Sequence, residues 1–348
     1  MPQTTTPLFL KSKRKAPNYK LRFLILILLA AVCFFISLGI GRFGLTPYEV
    51  IRILFSGIIP FDQMDFADWS IIFNVRLPRI CGAFLIGAAL ATAGAAYQGM
   101  FQNPLVSPDI LGASAGAGFG AAFAIYTNQP SIMIAVCAFI GAIAAVLIAY
   151  GVSKLAKGSA TLSLVLGGIL VGSLFSACTS YIKLVADTNN QLPEITYWMM
   201  GGLSKIDMND VIFALIGIGI GIIPLILLRW RLNVLTLGED EAKSMGVNTN
   251  RLRLITIICA TLITAVAVSI SGIIGWIGLV IPHFCRMIFG YDYRRIVPAA
   301  IIFGGAFLIL VDDFARNLAT IEIPIGILTA FIGAPIFAWL LISGGKRS

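Results

Sequence analysis

The stretch "RLPRICGAFLIGAALATAGAAYQGMFQNPLVSPDILGASAGAGFG", residues 76–120, decides how the chain folds. Between Arg79 and Asp109 it carries no acidic or basic side chain. A run of that length can cross a hydrocarbon layer about 30 Å thick. Its density of glycine and alanine suits helices that approach closely in lipid. Similar apolar runs recur along the chain, which is 58% hydrophobic and only 12% charged, whereas soluble domains are about 25% charged. The fold class is therefore an all-α polytopic membrane protein. A transmembrane barrel would instead show short alternating segments, which are absent.

Hydropathy predicts about ten transmembrane helices, at 22–41, 78–101, 107–126, 131–153, 161–184, 209–229, 250–271, 274–289, 295–313 and 323–343. The basic lead and apolar run at the start resemble a secretory signal. The run is too long, however, and no A-x-A-like site precedes "GRFG". It is read as a retained first span after a basic tail, 1–21, and residues 344–348 are read as a second tail. With both termini placed in the cytoplasm, only Arg42, Arg52, Arg76, Arg79, Lys183, Lys205 and Arg316 of the 25 basic residues fall outside. That is the positive-inside pattern. Anionic lipid then accounts for the net charge of +9, and no nucleic acid is needed. The six cysteines lie in or beside apolar runs without C-x-x-C spacing and read as small hydrophobes.

Three polar connections interrupt this pattern. Residues 46–58 begin with Thr46 and Pro47 and read as a short helix on the outer surface. The aromatic loop 185–208 predicts a second short outer helix around residues 195–200. The third is "TLGEDEAKSMGVN", residues 236–248, in the loop 232–249. Thr236 and Glu239 have capping-box spacing, and Glu239 and Lys243 stand at i and i+4. Gly246 is a plausible stop. These features predict a helix of about nine residues, with Gly238, Ala242 and Met245 on one face. It reads either as a solvated loop helix or as one that seats in a cytoplasmic partner.

Residues 76–120, together with "LGEDEAKSMGV", "SGIIGWIGLVIPHFCRMIFGYDYRRIVPAAIIFGGAFLILVDDFAR" and "EIPIGILTAFIGAPIFAWLL", resemble the iron-chelate and vitamin B12 permeases, the FecCD/BtuC-type membrane subunits of ATP-binding-cassette (ABC) importers. The resemblance spans about 22–343, the expected permease domain. It implies a BtuC-like ABC importer permease fold in a bacterial or archaeal cytoplasmic membrane. It also implies a second permease subunit, identical or paralogous, two ABC ATPase subunits and an extracytoplasmic substrate-binding protein. The family's coupling helix matches Leu237, Gly238, Glu239, Ala242, Met245 and Gly246. Its outer basic pocket for glutamates of the binding protein matches Arg76, Arg79 and Arg316. Arginine suits that role because its planar fork pairs with carboxylate through two hydrogen bonds; a lone interfacial arginine otherwise snorkels. The fifth span is expected to line the path, through Ser163, Ser173, Ser176, Thr179 and Ser180.

No catalytic or metal-binding set is expected. His283 is the single histidine and reads as a hydrogen-bonded structural residue, and Asp109 reads as the cap of the third span. There is no G-x-x-x-x-G-K-[ST] loop, so ATP and Mg²⁺ are expected on a partner and no cofactor on this chain. A secondary transporter would place coupling acids inside its spans, where this chain has essentially none. An enzyme would need a cluster of chemical groups that is not evident. The resemblance implies a metal chelate as cargo, foremost a ferric siderophore, with haem, cobalamin and molybdate or tungstate as alternatives.

Overall fold

The computed structural model describes residues 18–41, 44–55 and 66–344. Expectations resting on the tail up to residue 17, on Arg42, on 56–58 and on 345–348 lie outside the described residues. The elements are α1 Tyr19–Gly39, α2 Pro47–Phe55, α3 Phe66–Ser70, α4 Leu77–Phe101, α5 Ala113–Tyr126, α6 Ser131–Leu155, α7 Ala160–Val185, α8 Gln191–Met200, α9 Met208–Leu235, α10 Glu239–Ser244, α11 Thr249–Ser271, α12 Ile277–Phe289, α13 Tyr293–Asn317 and α14 Ile325–Gly344. The described residues contain no strand.

Each expected span has a helical counterpart, but the lengths differ. Among the described residues, seven helical stretches are long and apolar enough to cross a membrane, and three apolar helices, Ala113–Tyr126, Ile277–Phe289 and Ile325–Trp339, are shorter. The spans expected at 107–126 and 274–289 are thus partly irregular. Gly112 and Gly272, with φ of +83° and +68°, break the helix before α5 and after α11. Irregular backbone survives at membrane depth only where protein groups satisfy it. Gln98 does so before α5, donating to the Val106 carbonyl at 3.1 Å, and it also donates at 3.3 Å to the Gly278 carbonyl in the first turn of α12, which Pro282 leaves without an amide donor. The segment before α5 also packs on the first turn of α12, since a Cβ on Gly278 would press on the Pro108 ring.

The helix expected at 78 begins twelve residues earlier, because α3 continues through a π-helical turn, Ile71–Arg76, into α4. The Leu77 amide bonds back to Ile72, five residues behind. That register shift immediately precedes Pro78, which lacks a donor and would crowd an ordinary helical turn.

Helix α4 is buried over almost its whole length, and α11 and α13 over most of theirs. These three form the centre. Residues on α1, α6, α7 and α9 leave large apolar side chains exposed, as lipid-facing helices do. Glycines set two of the closest approaches. A Cβ at Gly87 would collide with the Gly304 backbone of α13, and one at Gly116 with the Gly141 backbone of α6.

The two ends of the bundle differ in charge. At one end Arg22 bonds the Ile288 carbonyl, Arg295 lies 3.5 Å from the centroid of the Tyr19 ring, and Asn233 bonds Asp292 at 2.5 Å. This is termed the basic face. At the opposite face Gln191 donates to the Tyr126 carbonyl at 2.9 Å, which seats α8 beside α5. Helix α8 starts four residues before the predicted 195–200. Helix α2 has the expected start, as a reciprocal capping box. The Thr46 amide donates to Glu49 at 2.7 Å and the Glu49 amide to Thr46 at 3.3 Å.

Candidate functional site

At the basic face, α9 outruns its expected end and reaches Leu235. Thr236 therefore closes α9 instead of opening α10, and its hydroxyl donates to the Asn233 carbonyl at 2.7 Å. The predicted Thr236–Glu239 capping box is not formed. Helix α10 instead starts after Gly238, which has φ +134°, and it is six residues long, not nine. Its end is a Schellman motif. The Gly246 amide bonds the Lys243 carbonyl at 2.9 Å, and the Val247 amide bonds the Ala242 carbonyl at 3.0 Å. Gly246, at φ +79°, is the expected stop.

Glu239 ties this short helix to its surroundings. It pairs with Lys243 at 3.4 Å and with Arg253 of α11 at 3.3 Å, and it accepts from Thr249 at 3.4 Å. Partial burial raises its pKa, but Arg253 and Lys243 outweigh that and hold the carboxyl below the usual range. Arg253 is itself buried and was not evident in the sequence as a partner. The expected shared face of Gly238, Ala242 and Met245 is not presented as a unit. Ala242 is fully buried in the chain's own packing, whereas Leu237 and Met245 are exposed. An apolar seat for α10 is thus supplied partly by its own chain.

At the opposite face, Arg76, Arg79 and Arg316 come together from the start of α4 and the end of α13. All three are buried, so none is a snorkelling surface residue. Arg79 lies between two carboxylates, Asp312 at 2.8 Å and Glu322 at 2.9 Å. Arg316 pairs with Asp312 at 3.2 Å and also with Asp313. Arg76 donates to the Leu38 carbonyl at 2.5 Å. Ser37 of α1 donates to Asp313 at 2.6 Å and accepts from Arg316 at 3.0 Å. Among the described residues the cluster thus holds three guanidiniums and three carboxylates, with Arg79 and Arg316 in ion pairs and Arg76 on backbone carbonyls. The arginines of the expected basic pocket are thus balanced by carboxylates of the same chain. The cluster still lines a cavity of about 250 Å³ with Gly41, Ile71, Val75 and Glu322.

The serines of α7 divide. Ser173, Ser176 and Ser180 share an exposed face, and Ser173 and Ser176 line a cavity of about 540 Å³ with Asp109, Gly112, Gly168 and Gly172. Ser163 and Thr179 are buried against the chain itself, so they do not belong to that face. Asp109 does not cap α5. It lies in a 3₁₀ turn, Pro108–Leu111, and accepts from Ser114. His283 is half-buried in α12 and makes no hydrogen bond among those described. The same helix carries buried Arg286, which bonds Gln98 at 2.5 Å. No group of three His, Cys, Asp or Glu residues is arranged to hold a metal among the described residues.

Comparison with known proteins gives this architecture its relatives. A family model described as the FecCD transport family matches residues 28–343. A molybdate import system permease protein of Haemophilus influenzae is 37% identical over 91% of this chain and 94% of its own length. A probable iron chelatin transport system permease protein of Helicobacter pylori is 41% identical over 78% and 82%. Among solved structures, a transporter described as of metal-chelate type, in an inward-facing conformation, superposes with a TM-score of 0.84. It is 36% identical and is covered over its full length by 93% of this chain.

Proposed function

The chain belongs to the FecCD transport family, and on that premise we propose that it is the multi-pass permease subunit of an ABC importer. It translocates cargo by alternating access, while ATP and Mg²⁺ act on separate ATPase subunits. The arrangement of α10 carries this reading. A six-residue helix is too short to persist alone in water. This one is fixed to α11 through Glu239 and Arg253, and it holds Leu237 and Met245 outward. Force applied to it passes into the bundle and is not lost in a loose loop.

The remaining assignments follow from that role. The basic face is cytoplasmic, with both termini inside, as its arginines and lysines support. Arg76, Arg79 and Arg316 receive acidic side chains of a substrate-binding protein at the opposite face, by exchange of partners in a closed network. Ser173, Ser176 and Ser180 line the path against a second permease subunit, a homodimer being the simplest assembly. The cargo is a metal chelate, foremost a ferric siderophore, a reading supported by the iron chelatin relative. The molybdate relative keeps an oxyanion as the second reading.

The test is uptake of labelled ferric siderophore, haem, cobalamin and molybdate by vesicles holding the complete importer. ATP-dependent uptake of the ferric chelate is expected. Uptake of molybdate alone would overturn the cargo but leave the permease role standing.

A further inference from the structure

We infer that Glu322 is an internal stand-in for the docking carboxylate, occupying the Arg79 fork until a binding protein displaces it. The inference rests on the docking role proposed for the arginine cluster. The two carboxylates on Arg79 are not equivalent. The Asp312 side chain is 1% exposed and is also paired with Arg316, which fixes it inside the bundle. The Glu322 side chain is 32% exposed and lines the cavity through which the arginines are reached. Its two oxygens take Nη1 and Nη2 of Arg79 at 2.9 and 3.3 Å, the paired geometry that an incoming carboxylate would adopt.

Charge balance explains why such a stand-in matters. With Glu322 in place the described cluster is neutral. It therefore offers little attraction to an acidic side chain, yet it avoids leaving a buried guanidinium half-paired. Once Glu322 leaves, the cluster carries a net positive charge that an acidic partner neutralises. Glu322 also lies in the short connection between α13 and α14. The next residue, Ile323, bonds back to the Ala315 carbonyl at 3.1 Å, and Ile325 bonds the Gly201 carbonyl beyond α8 at 3.0 Å. Displacing Glu322 therefore acts at the point where α8, α13 and α14 meet.

The test measures association of the binding protein with the complete importer in nanodiscs, across a range of salt concentrations. Glu322→Gln is expected to tighten docking at least about tenfold at low salt and to steepen its salt dependence. Glu322→Asp, which keeps the charge but shortens the reach, should fall between the two. It also gives the reading if Glu322→Gln assembles poorly. Unchanged or weaker docking in both variants, with docking lost in Arg79→Glu, overturns this inference alone. If Arg76→Glu and Arg79→Glu leave docking intact as well, the docking role itself fails.

Discussion

Arg79 and Asp312 are 233 positions apart in sequence and 2.8 Å apart in space, and their pairing closes α4 onto α13 at one end of the bundle. Burial makes the pair expensive to break. Removing Arg79 takes from the buried Asp312 its closer partner, leaving it Arg316 alone, and leaves the cluster one positive charge short. Arg79→Ala should therefore lower stability by about 3 kcal/mol, read by thermal or denaturant unfolding in detergent. A snorkelling arginine would cost almost nothing, so an unchanged transition would remove the buried-pair account.

Helix packing offers a second test in the same pair of helices. Gly87 and Gly304 bring two backbones together with no room for a side chain. Gly87→Leu is expected to block correct assembly of α4 with α13, seen as loss of the monodisperse protein on extraction, whereas Gly219→Leu, at a glycine with open space around it, is tolerated.

Exposure divides the residues of the α10 region into two kinds. Met245→Glu or Leu237→Glu should leave unfolding within about 0.5 kcal/mol of the parent, as changes to exposed positions usually do. The same variants should lose most transport per ATP hydrolysed. Ala242→Glu places a charge in a fully buried position and should unfold the loop itself, read as rapid proteolysis between α9 and α11. Equal behaviour of all three variants would contradict the division.

The Glu239 ion pairs predict a pH dependence of definite sign. The folded carboxyl titrates below its ordinary range, so folding favours its charged form. Its stabilisation is fully present above the usual glutamate pKa and is lost as pH falls through the lower folded value. The difference in Tm between parent and Glu239→Gln should be present at neutral pH and vanish in acid. A difference that grew on acidification would reverse the sign and refute the assignment.

Much of this fold was legible because apolar length is a direct physical requirement of crossing lipid. A local ion pair was legible too. Glu239–Lys243 follows helical spacing, and it forms. Hydropathy could not separate helix from irregular backbone before α12, since residues 272–276, GIIGW, are about as apolar as the helix they feed. Nor could it place the end of α9. Arg229 and Arg231 end the hydrophobic run, yet the helix continues to Leu235 and takes Thr236 as its cap. The Arg79–Asp312 and Arg79–Glu322 pairs join distant segments, and no spacing rule reaches across them. Burial of Ala242 was hidden for the same reason, because its neighbours lie on other helices.

In the proposed function, this permease moves cargo with energy from a separate ATPase. The most direct measurement is uptake into sealed vesicles holding the permease, its ATPase and its binding protein, with ATP and the proton gradient varied independently. Uptake should require ATP inside the compartment bearing the basic face and persist when the gradient is collapsed. Uptake that continues without ATP and follows the proton gradient would contradict the account.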